Sequence, residues 1–351
     1  MNQESIVADH AAAPRPGRGK RRNWHFTPEL PIRQAPYFER PFSVIESLEY
    51  LFNIWRPFNQ RFLLLLLAIA AWTWFTPSLE RMREFRLDWM LEIGLRNLVI
   101  VLVVAGGLHL LLYTFKRQGD DEHYDARPMI RNSKRFHFDD QVWDNMFWTL
   151  AGSVPIGTLW ECLLLWGYAN GYATMITFES HPAWFIGLML IIPIWSGFHF
   201  YWQHRMLHFE PLYRWFHSWH HKNSNTGPWS GHAMHPVEHA ILYSDLAIYF
   251  IVASHPIHMI FNSMLHTVAG PTSHCGFHRV RFGKIFSLQL GDFMHQQHHR
   301  YCDCNYGSYE TPWDKVFDSF HDGTEEGDAW MKERRRKLFE KKNRLAEQTN
   351  G

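Results

Sequence analysis

Four apolar runs constrain this 351-residue chain more than any other feature, because each approaches the length that a helix needs to cross a bilayer. They cover residues 62–75, 98–115, 147–168 and 183–202. A hydrocarbon core of ~30 Å needs about 20 apolar residues in a helix. The mean hydropathy of −0.29 hides this clustering. The runs predict an all-α integral membrane protein with about four transmembrane helices. A large soluble enzyme with very apolar helices is the alternative.

Lys and Arg residues set the predicted orientation of these helices. They are frequent before residue 61 and in the 116–135 loop, and absent from the 169–182 loop. Because cytoplasmic loops carry an excess of Lys and Arg, we expect a multi-pass protein whose N-terminus, histidine-rich cap and C-terminus are cytoplasmic. The 78–96 loop fits poorly, since it falls on the other side yet holds four arginines. An interfacial amphipathic helix is one explanation.

Composition divides the chain into four parts. These are a cytosolic lead-in over 1–60 whose first 23 residues are expected to be disordered, transmembrane helices over 61–203, a His-rich cytosolic cap over 204–328, and a basic cytosolic tail over 329–351. In the cap, polar residues and Pro256 interrupt the apolar segment 240–268. The interruptions predict a re-entrant hairpin whose polar breaks are buried in protein, with a fifth and sixth span as the alternative.

Net charge and cysteines exclude several other classes of protein. A formal charge of +1 gives no field that would attract nucleic acid. The four cysteines include no CxxC pair, so neither a disulfide framework nor a thiolate zinc site is indicated. Residues 1–30 lack an apolar core before a small-residue cleavage site, and we therefore expect no signal peptide.

Histidine spacing is the second strong signal, because 17 of the 24 histidines lie between residues 199 and 299. Ten form two HxxxH pairs and two HxxHH sets: His204, His208, His217, His220, His221, His274, His278, His295, His298 and His299. Residues at these spacings share one helix face, where two imidazoles bind one ion from the same side. Ten imidazoles exceed the four of a tetrahedral zinc. The set therefore predicts two ions of iron, copper, nickel or zinc.

Further residues of the cap are candidate ligands or neighbours of ligands. The additional candidate histidines are His199, His232, His235 and His239. Metal-bound histidines usually donate their other N–H to a carboxylate or carbonyl, and the nearest acidic residues in sequence are Glu238, Asp292 and Asp303. The remaining cap histidines, His255, His258 and His266, are assigned to the hairpin without a ligand role.

These motifs resemble those of the fatty acid hydroxylase and sterol desaturase superfamily of membrane non-haem diiron oxygenases. The resemblance covers about residues 140–323 and rests on FHFYWQHRMLH, HSWHHKN, HAMHPVEH and MHQQHHRYCDCNYGSYETPWDKVF. The last two stretches are similar to the C-5 sterol desaturase (lathosterol oxidase) branch. The chain departs from that branch at Glu238 and His239, where an Asp-Gly pair is usual, and at HCGFH.

The resemblance implies that the ten histidines bind two iron ions, with His235 as a ligand or a neighbour, and that no further catalytic residue is needed. It implies O2-dependent hydroxylation or desaturation of a sterol-like or fatty acyl lipid, with zinc able to replace iron in isolated protein. The chain lacks the HPGG haem motif of a fused cytochrome b5 domain. A separate ferredoxin, cytochrome b5 or reductase is therefore implied as the electron donor.

Two other classes compete with this interpretation. One is a histidine-rich membrane protein that binds or transports metal without oxidising a substrate. Transporters place their ligands inside the spans near the bilayer midplane, whereas these histidines follow the last apolar run. The other is a zinc-stabilised scaffold, which needs a closed coordination shell with no position for a reactant.

Overall fold

Five helices form the first two thirds of the computed structural model, which describes residues 24–283 and 286–350. In chain order they are α1 (Val44–Trp55), α2 (Gln60–Phe75), α3 (Leu87–Thr114), α4 (Gln141–Ala169) and α5 (Pro182–Leu207). Two 3-10 turns, Pro36–Phe38 and Leu79–Arg83, precede α1 and α3. The predicted disordered arm at 1–23 lies outside the described residues.

Helices α3, α4 and α5 are long and apolar enough to cross a membrane, and the α1–α2 pair, bent by 45°, passes the same test as a fourth unit. Each apolar run of the sequence lies inside one of these helices, apart from Phe115 at the end of the second run. Large apolar side chains remain exposed along α3, including Leu91, Leu95 and Val103, as suits a surface that contacts lipid. The prediction of an all-α, multi-pass membrane protein is confirmed.

The remaining chain folds into shorter elements and one long C-terminal helix. They are α6 (Leu212–Trp215), 3-10 turns at His217–Lys222 and Pro228–His232, α7 (Pro236–Leu242), a 3-10 segment Tyr243–Phe250, α8 (Pro256–Thr267), α9 (Ala269–Ser273), β1 (Arg279–Phe282), β2 (Phe286–Gln289), α10 (Phe293–Tyr301), α11 (Trp313–Val316) and α12 (Glu325–Asn350). The strands β1 and β2 are antiparallel, from the pair Arg279–Gln289 to the pair Phe282–Phe286.

Segment 240–268 runs from the histidine-rich end of the helices to the opposite end and back. Its tip is Ser254, which exchanges backbone hydrogen bonds with Thr174 and Ile176 in the loop between α4 and α5. The returning arm, α8, packs against α2, α4 and α5. Because α9 then leads directly into His274, the hairpin connects the interior of the helix bundle to the histidine cluster.

The arginines of the 78–96 stretch are largely neutralised by acidic partners. The predicted loop is shorter than expected, because α3 already begins at Leu87. Arg81 pairs with Asp88 and Glu92 near the start of that helix. Arg96, further inside the bundle, is buried and pairs with Glu161 of α4.

Candidate metal centre

Nine of the ten predicted histidines converge in two groups at the end of the helix bundle. The five-histidine group comprises His204, His208, His217, His221 and His298, and the four-histidine group comprises His220, His274, His295 and His299. The ligand atoms within each group lie within 4.8 Å of one another. Eight of the nine side chains are buried, and His208 is half-buried.

Two short segments supply histidines to both groups. The turn His217–Lys222 gives His217 and His221 to the five-histidine group and His220 to the other. Helix α10 likewise divides its three histidines between the groups. Asp292 caps α10 by accepting a hydrogen bond from the backbone N–H of His295 (3.0 Å), and Cys302 ends the helix with a φ of 64°. A short helix with defined ends can therefore place imidazoles toward two centres.

Neighbouring Nε2 atoms in the two groups lie closer than unbonded nitrogens normally do. The separations are 3.0–3.1 Å for these pairs: His204–His217, His208–His217, His208–His298, His217–His221, His221–His298, His274–His295 and His274–His299.

Each of these contacts includes at least one Nε2 that has no proton to donate, because the single proton of that neutral imidazole is committed at Nδ1. The Nδ1 of His204 lies 2.7 Å from the Tyr306 carbonyl, that of His298 lies 2.6 Å from the Cys304 carbonyl, and that of His274 lies 2.9 Å from the Gly270 carbonyl. A carbonyl only accepts, so Nδ1 donates and Nε2 keeps its lone pair. Lone pairs that converge at 3 Å repel one another unless a cation lies between them.

His217 has the strongest acceptor of the set. Its Nδ1 lies 2.7 Å from Oε1 of Glu238, and both side chains are almost fully buried. A carboxylate on Nδ1 fixes the ring tautomer and makes Nε2 a better electron donor. Glu238 therefore lies where the sequence placed a partner of a metal ligand.

The distances between neighbouring Nε2 atoms suit octahedral rather than tetrahedral coordination. For two nitrogens at a right angle, 3.0 Å between them corresponds to about 2.1 Å from each to a common centre, within the usual range for imidazole bonds to a divalent metal. Tetrahedral angles would shorten that bond to about 1.8 Å, below the usual range. His208 lies next to each of the other four rings of its group, with centroids 4.6–5.1 Å apart.

His204 and His221 face each other across the five-histidine group as nearly parallel rings 6.5 Å apart. The other four histidines of the group therefore surround His208. Within the part of the chain that the structure describes, this group includes no sixth His, Cys, Asp or Glu donor opposite His208. The five imidazoles of this group exceed the four ligands of a closed structural zinc site.

Burial keeps these histidines neutral and able to bind metal. Desolvation lowers the pKa of His298 and the pKa of His274 to about 3 each. The pKa values of His208, His220 and His299 are also lowered, first by burial and then by neighbouring imidazoles. Proteins bind metals through the neutral ring, so the nitrogens of these five histidines are available well below neutral pH.

The tenth predicted ligand, His278, lies outside both groups. Its Nδ1 is 3.0 Å from the hydroxyl of Tyr124. The HxxxH spacing of His274 and His278 implied one helix face, but α9 ends at Ser273 and Gly276 adopts a φ of +82° between the two histidines. A side chain there would meet the hydroxyl of Tyr113 at 2.4 Å. The glycine turn therefore separates the pair.

The additional candidates lie around the groups rather than in them. His199 contacts the hydroxyl of Ser244 (3.0 Å), and His232 lies between Ser153 Oγ (3.1 Å) and the Thr267 carbonyl (3.2 Å). His235 caps α7 by accepting a hydrogen bond from the N–H of Val237.

Two acidic candidates and one histidine complete the predicted set. His239 is fully buried, and neither of its ring nitrogens has a hydrogen-bond partner among the described residues. Asp292 caps α10, as described above, and burial raises its pKa to about 6. Asp303 pairs with Arg335 of α12 on the surface. None of these residues belongs to the five- or four-histidine group.

Sequence reasoning missed three kinds of partner. The carbonyls of Tyr306, Cys304 and Gly270 have no sequence signal, because every residue carries a carbonyl. Cys302 lies 3.4 Å from Nδ1 of His221 through its Sγ. A hydrogen-bonded pair of His266 and Asp245 in the hairpin was also missed, although ionisable residues in an apolar segment are a recognisable signal.

A cavity of about 930 Å³ opens onto the histidine groups. Histidines of both groups line one wall, and Leu64, Pro193, Leu242 and Leu265 line the part that extends between the helices. Cavities of this size, mostly apolar with a few polar groups, are typical binding sites for small molecules. The arrangement can hold a long apolar molecule beside two metal ions.

Comparison with known proteins agrees with this geometry. A family model described as fatty acid hydroxylase matches residues 188–319. Lathosterol oxidase of Rattus norvegicus is 28% identical over 75% of this chain and 87% of its own length. Delta(7)-sterol 5(6)-desaturase of Candida dubliniensis is 27% identical over 43% of this chain and 39% of its own length. Lathosterol oxidase of Homo sapiens is 33% identical over 34% of this chain and 40% of its own length. No match is found among solved structures.

Proposed function

Because the chain belongs to the fatty acid hydroxylase and sterol desaturase superfamily and is an oxidoreductase of the sterol desaturase type, we propose that it oxidises a C–H bond of a membrane lipid with O2 at two histidine-bound iron ions. The product is an alcohol or an alkene. The observation that carries the proposal is the pair of converging imidazole groups on the wall of an apolar cavity.

The nine histidines hold the metals in this proposal, and the rest of the chain prepares the site. Bound iron would supply the reduction of O2 and the removal of hydrogen from an unactivated C–H bond. The Glu238 carboxylate and the three backbone carbonyls hold four of the nine histidines, His217, His204, His298 and His274, in the tautomer that presents Nε2. The apolar cavity wall excludes water and aligns the lipid with the ligand nitrogens.

Electrons come from a separate ferredoxin, cytochrome b5 or reductase in this proposal, and O2 is the co-substrate. The histidine cap and both termini face the cytoplasm, where such donors are found. The lysines and arginines of the 116–135 loop support this orientation. A Lys134→Cys variant, changed at an exposed position of this loop, tests the orientation in intact cells. A membrane-impermeant thiol reagent is expected not to label a cysteine there if the loop is cytoplasmic.

Transport or storage of metal is the competing proposal. It requires ligands between the spans, whereas both groups lie at the end of the bundle beside the lipid-sized cavity. The geometry therefore favours oxidation.

Metal analysis and turnover on the same purified chain test the proposal. The expected result is about two irons per chain and O2-dependent oxidation of lathosterol or a fatty acyl lipid, supplied with reduced ferredoxin and detected by mass spectrometry. A His220→Asn, His298→Asn double variant removes one ligand from each group, and we expect it to lose both readouts. Iron-free protein that is well folded, or iron-loaded protein inert on every lipid offered, contradicts the proposal.

A further inference from the structure

A buried histidine–aspartate pair lies in the hairpin, apart from both metal-binding groups. Nε2 of His266 in α8 is 2.8 Å from Oδ2 of Asp245. The side chains are 6% and 0% exposed, respectively. The backbone carbonyl of Asp245 accepts a hydrogen bond from the indole N–H of Trp195 in α5 (3.2 Å), and the ring of Tyr243 packs edge-on against His266. The pair is thus fixed from three sides.

One member of this pair, His266, belongs to the wall of the same cavity. It lines the cavity together with Leu242, Leu265 and the small polar residue Ser196, whereas Asp245 lies behind it. His266 precedes His274, a histidine of the four-histidine group, by eight residues in the chain. An ionisable pair in the otherwise apolar part of a binding cavity is a candidate for recognition of a polar group on the ligand.

The carboxylate determines what His266 can recognise. Asp245 accepts the proton on Nε2, and the tautomer with its single proton on that atom keeps a lone pair on Nδ1. Nδ1 is therefore a hydrogen-bond acceptor. Its matching partner is a donor such as an alcohol O–H, whereas an ether or a hydrocarbon offers no proton.

We propose that His266, oriented by Asp245, binds a hydroxyl group of the lipid and so fixes which carbon lies beside the metals. The inference rests on the proposed function, since it names the substrate class of that site as a lipid alcohol. His266 is a specificity-determining residue here, because it contacts the lipid at a distance from the reacting carbon. Asp245 is a positioning residue that acts through His266.

Binding of matched alcohol and ether probes tests this inference without any oxidation. The probes are lathosterol and its 3-O-methyl ether, and hexadecan-1-ol and its methyl ether. Dissociation constants are measured with the full chain, zinc-loaded, in detergent. We expect at least one alcohol to bind about tenfold more tightly than its ether, the usual effect of one hydrogen bond to a buried acceptor.

Two variants separate recognition from a structural role. In Asp245→Asn, the amide N–H donates to Nε2 and the ring proton moves to Nδ1, which then donates to an ether oxygen. The tenfold preference is therefore expected to disappear because the ether binds better. His266→Phe keeps a ring of similar size but has no acceptor, and we expect it to lose the preference because the alcohol binds worse. Ser263→Ala, a buried change on the same helix, keeps the preference.

Three results overturn the inference: equal affinities of alcohol and ether for the unmodified chain, binding of neither alcohol to folded protein, or a preference that survives in both variants. Oxidation is assayed separately on iron-loaded protein. Oxidation without alcohol preference counts against this inference alone. Alcohol preference without oxidation counts against the proposed function alone.

Discussion

Each metal-site imidazole whose Nδ1 has an acceptor is constrained at both nitrogens, and the sequence predicts only one of the two constraints. The HxxHH spacing predicted that the three rings of each set share one helix face, whereas the structure divides each set between the two groups. The sequence contains no information on the carbonyls of Tyr306 and Cys304, which accept hydrogen bonds from the opposite ring nitrogen of their histidines. The spacing predicted a shared helix face for His274 and His278, but Gly276, visible in HCGFH, turns the chain between them.

Replacement of His274 and of His278 by Asn gives a matched test at this scale. Both residues belong to one motif, but only His274 lies in a group of converging nitrogens. His274→Asn is expected to lower metal content by about one ion per chain and to abolish turnover, because a missing ligand opens the four-histidine group. His278→Asn is expected to keep its full metal content. Metal loss from His278→Asn and not from His274→Asn would refute the grouping.

At the scale of elements, apolar runs located the helices but not their ends. The run at 98–115 predicted a span, yet α3 begins at Leu87 and includes Arg96. A sequence rule that penalises charge excludes such a residue from a span. The structure accommodates it because Glu161 of α4 neutralises Arg96, and Asn97 donates to the same carboxylate (3.0 Å). The compensating residue lies 65 positions away, and local periodicity cannot identify it.

Removal of one member of this ion pair is expected to destabilise the α3–α4 contact. Arg96→Leu leaves Glu161 charged and buried, which typically costs about 3 kcal/mol or more in unfolding free energy. An Arg96→Leu, Glu161→Leu double variant is expected to recover most of that loss, because two apolar residues replace a desolvated pair. Denaturant titration in detergent measures both. A single variant as stable as the unmodified chain would show that the pair does not hold the helices together.

At the scale of the whole molecule, the cavity joins segments that are far apart in the chain. The lead-in residue Leu30, α2, α5, the hairpin and the 307–310 loop all contribute to its lining. The sequence predicted the lipid class only through a resemblance, because a cavity depends on how distant elements pack. The hairpin itself was predictable, since polar residues interrupt an apolar segment. Its role in lining the cavity was not.

Burial of so many imidazoles makes the stability of the metal-free protein depend on pH. The unfolded chain binds protons on His274 and His298 near their usual pKa of 6.5, whereas the folded pKa of each is about 3. Stability present above pH ~6.5 is therefore lost as the pH falls toward 3. As the pH falls from ~7.5 to ~5.5, we expect each such histidine to lower the free energy of unfolding by about 1.4 kcal/mol.

Thermal unfolding of chelator-treated protein at these two pH values measures the effect. The expected result is a lower midpoint at the lower pH. His298→Leu removes one titrating group, and its midpoint is expected to fall less over the same interval. An unchanged midpoint in the unmodified chain would contradict buried, neutral histidines.

The turn His217–Lys222 and helix α10 each divide their histidines between the two groups. Insertion or deletion of a single residue rotates the following side chains by about 120° in the 3-10 turn and by about 100° in α10, and displaces ligands of both centres at once. A mutational library can therefore vary the lipid-facing walls of the cavity by substitution, provided that the length of these two segments stays fixed. Their length should be preserved together with the histidines when this chain is redesigned for another lipid.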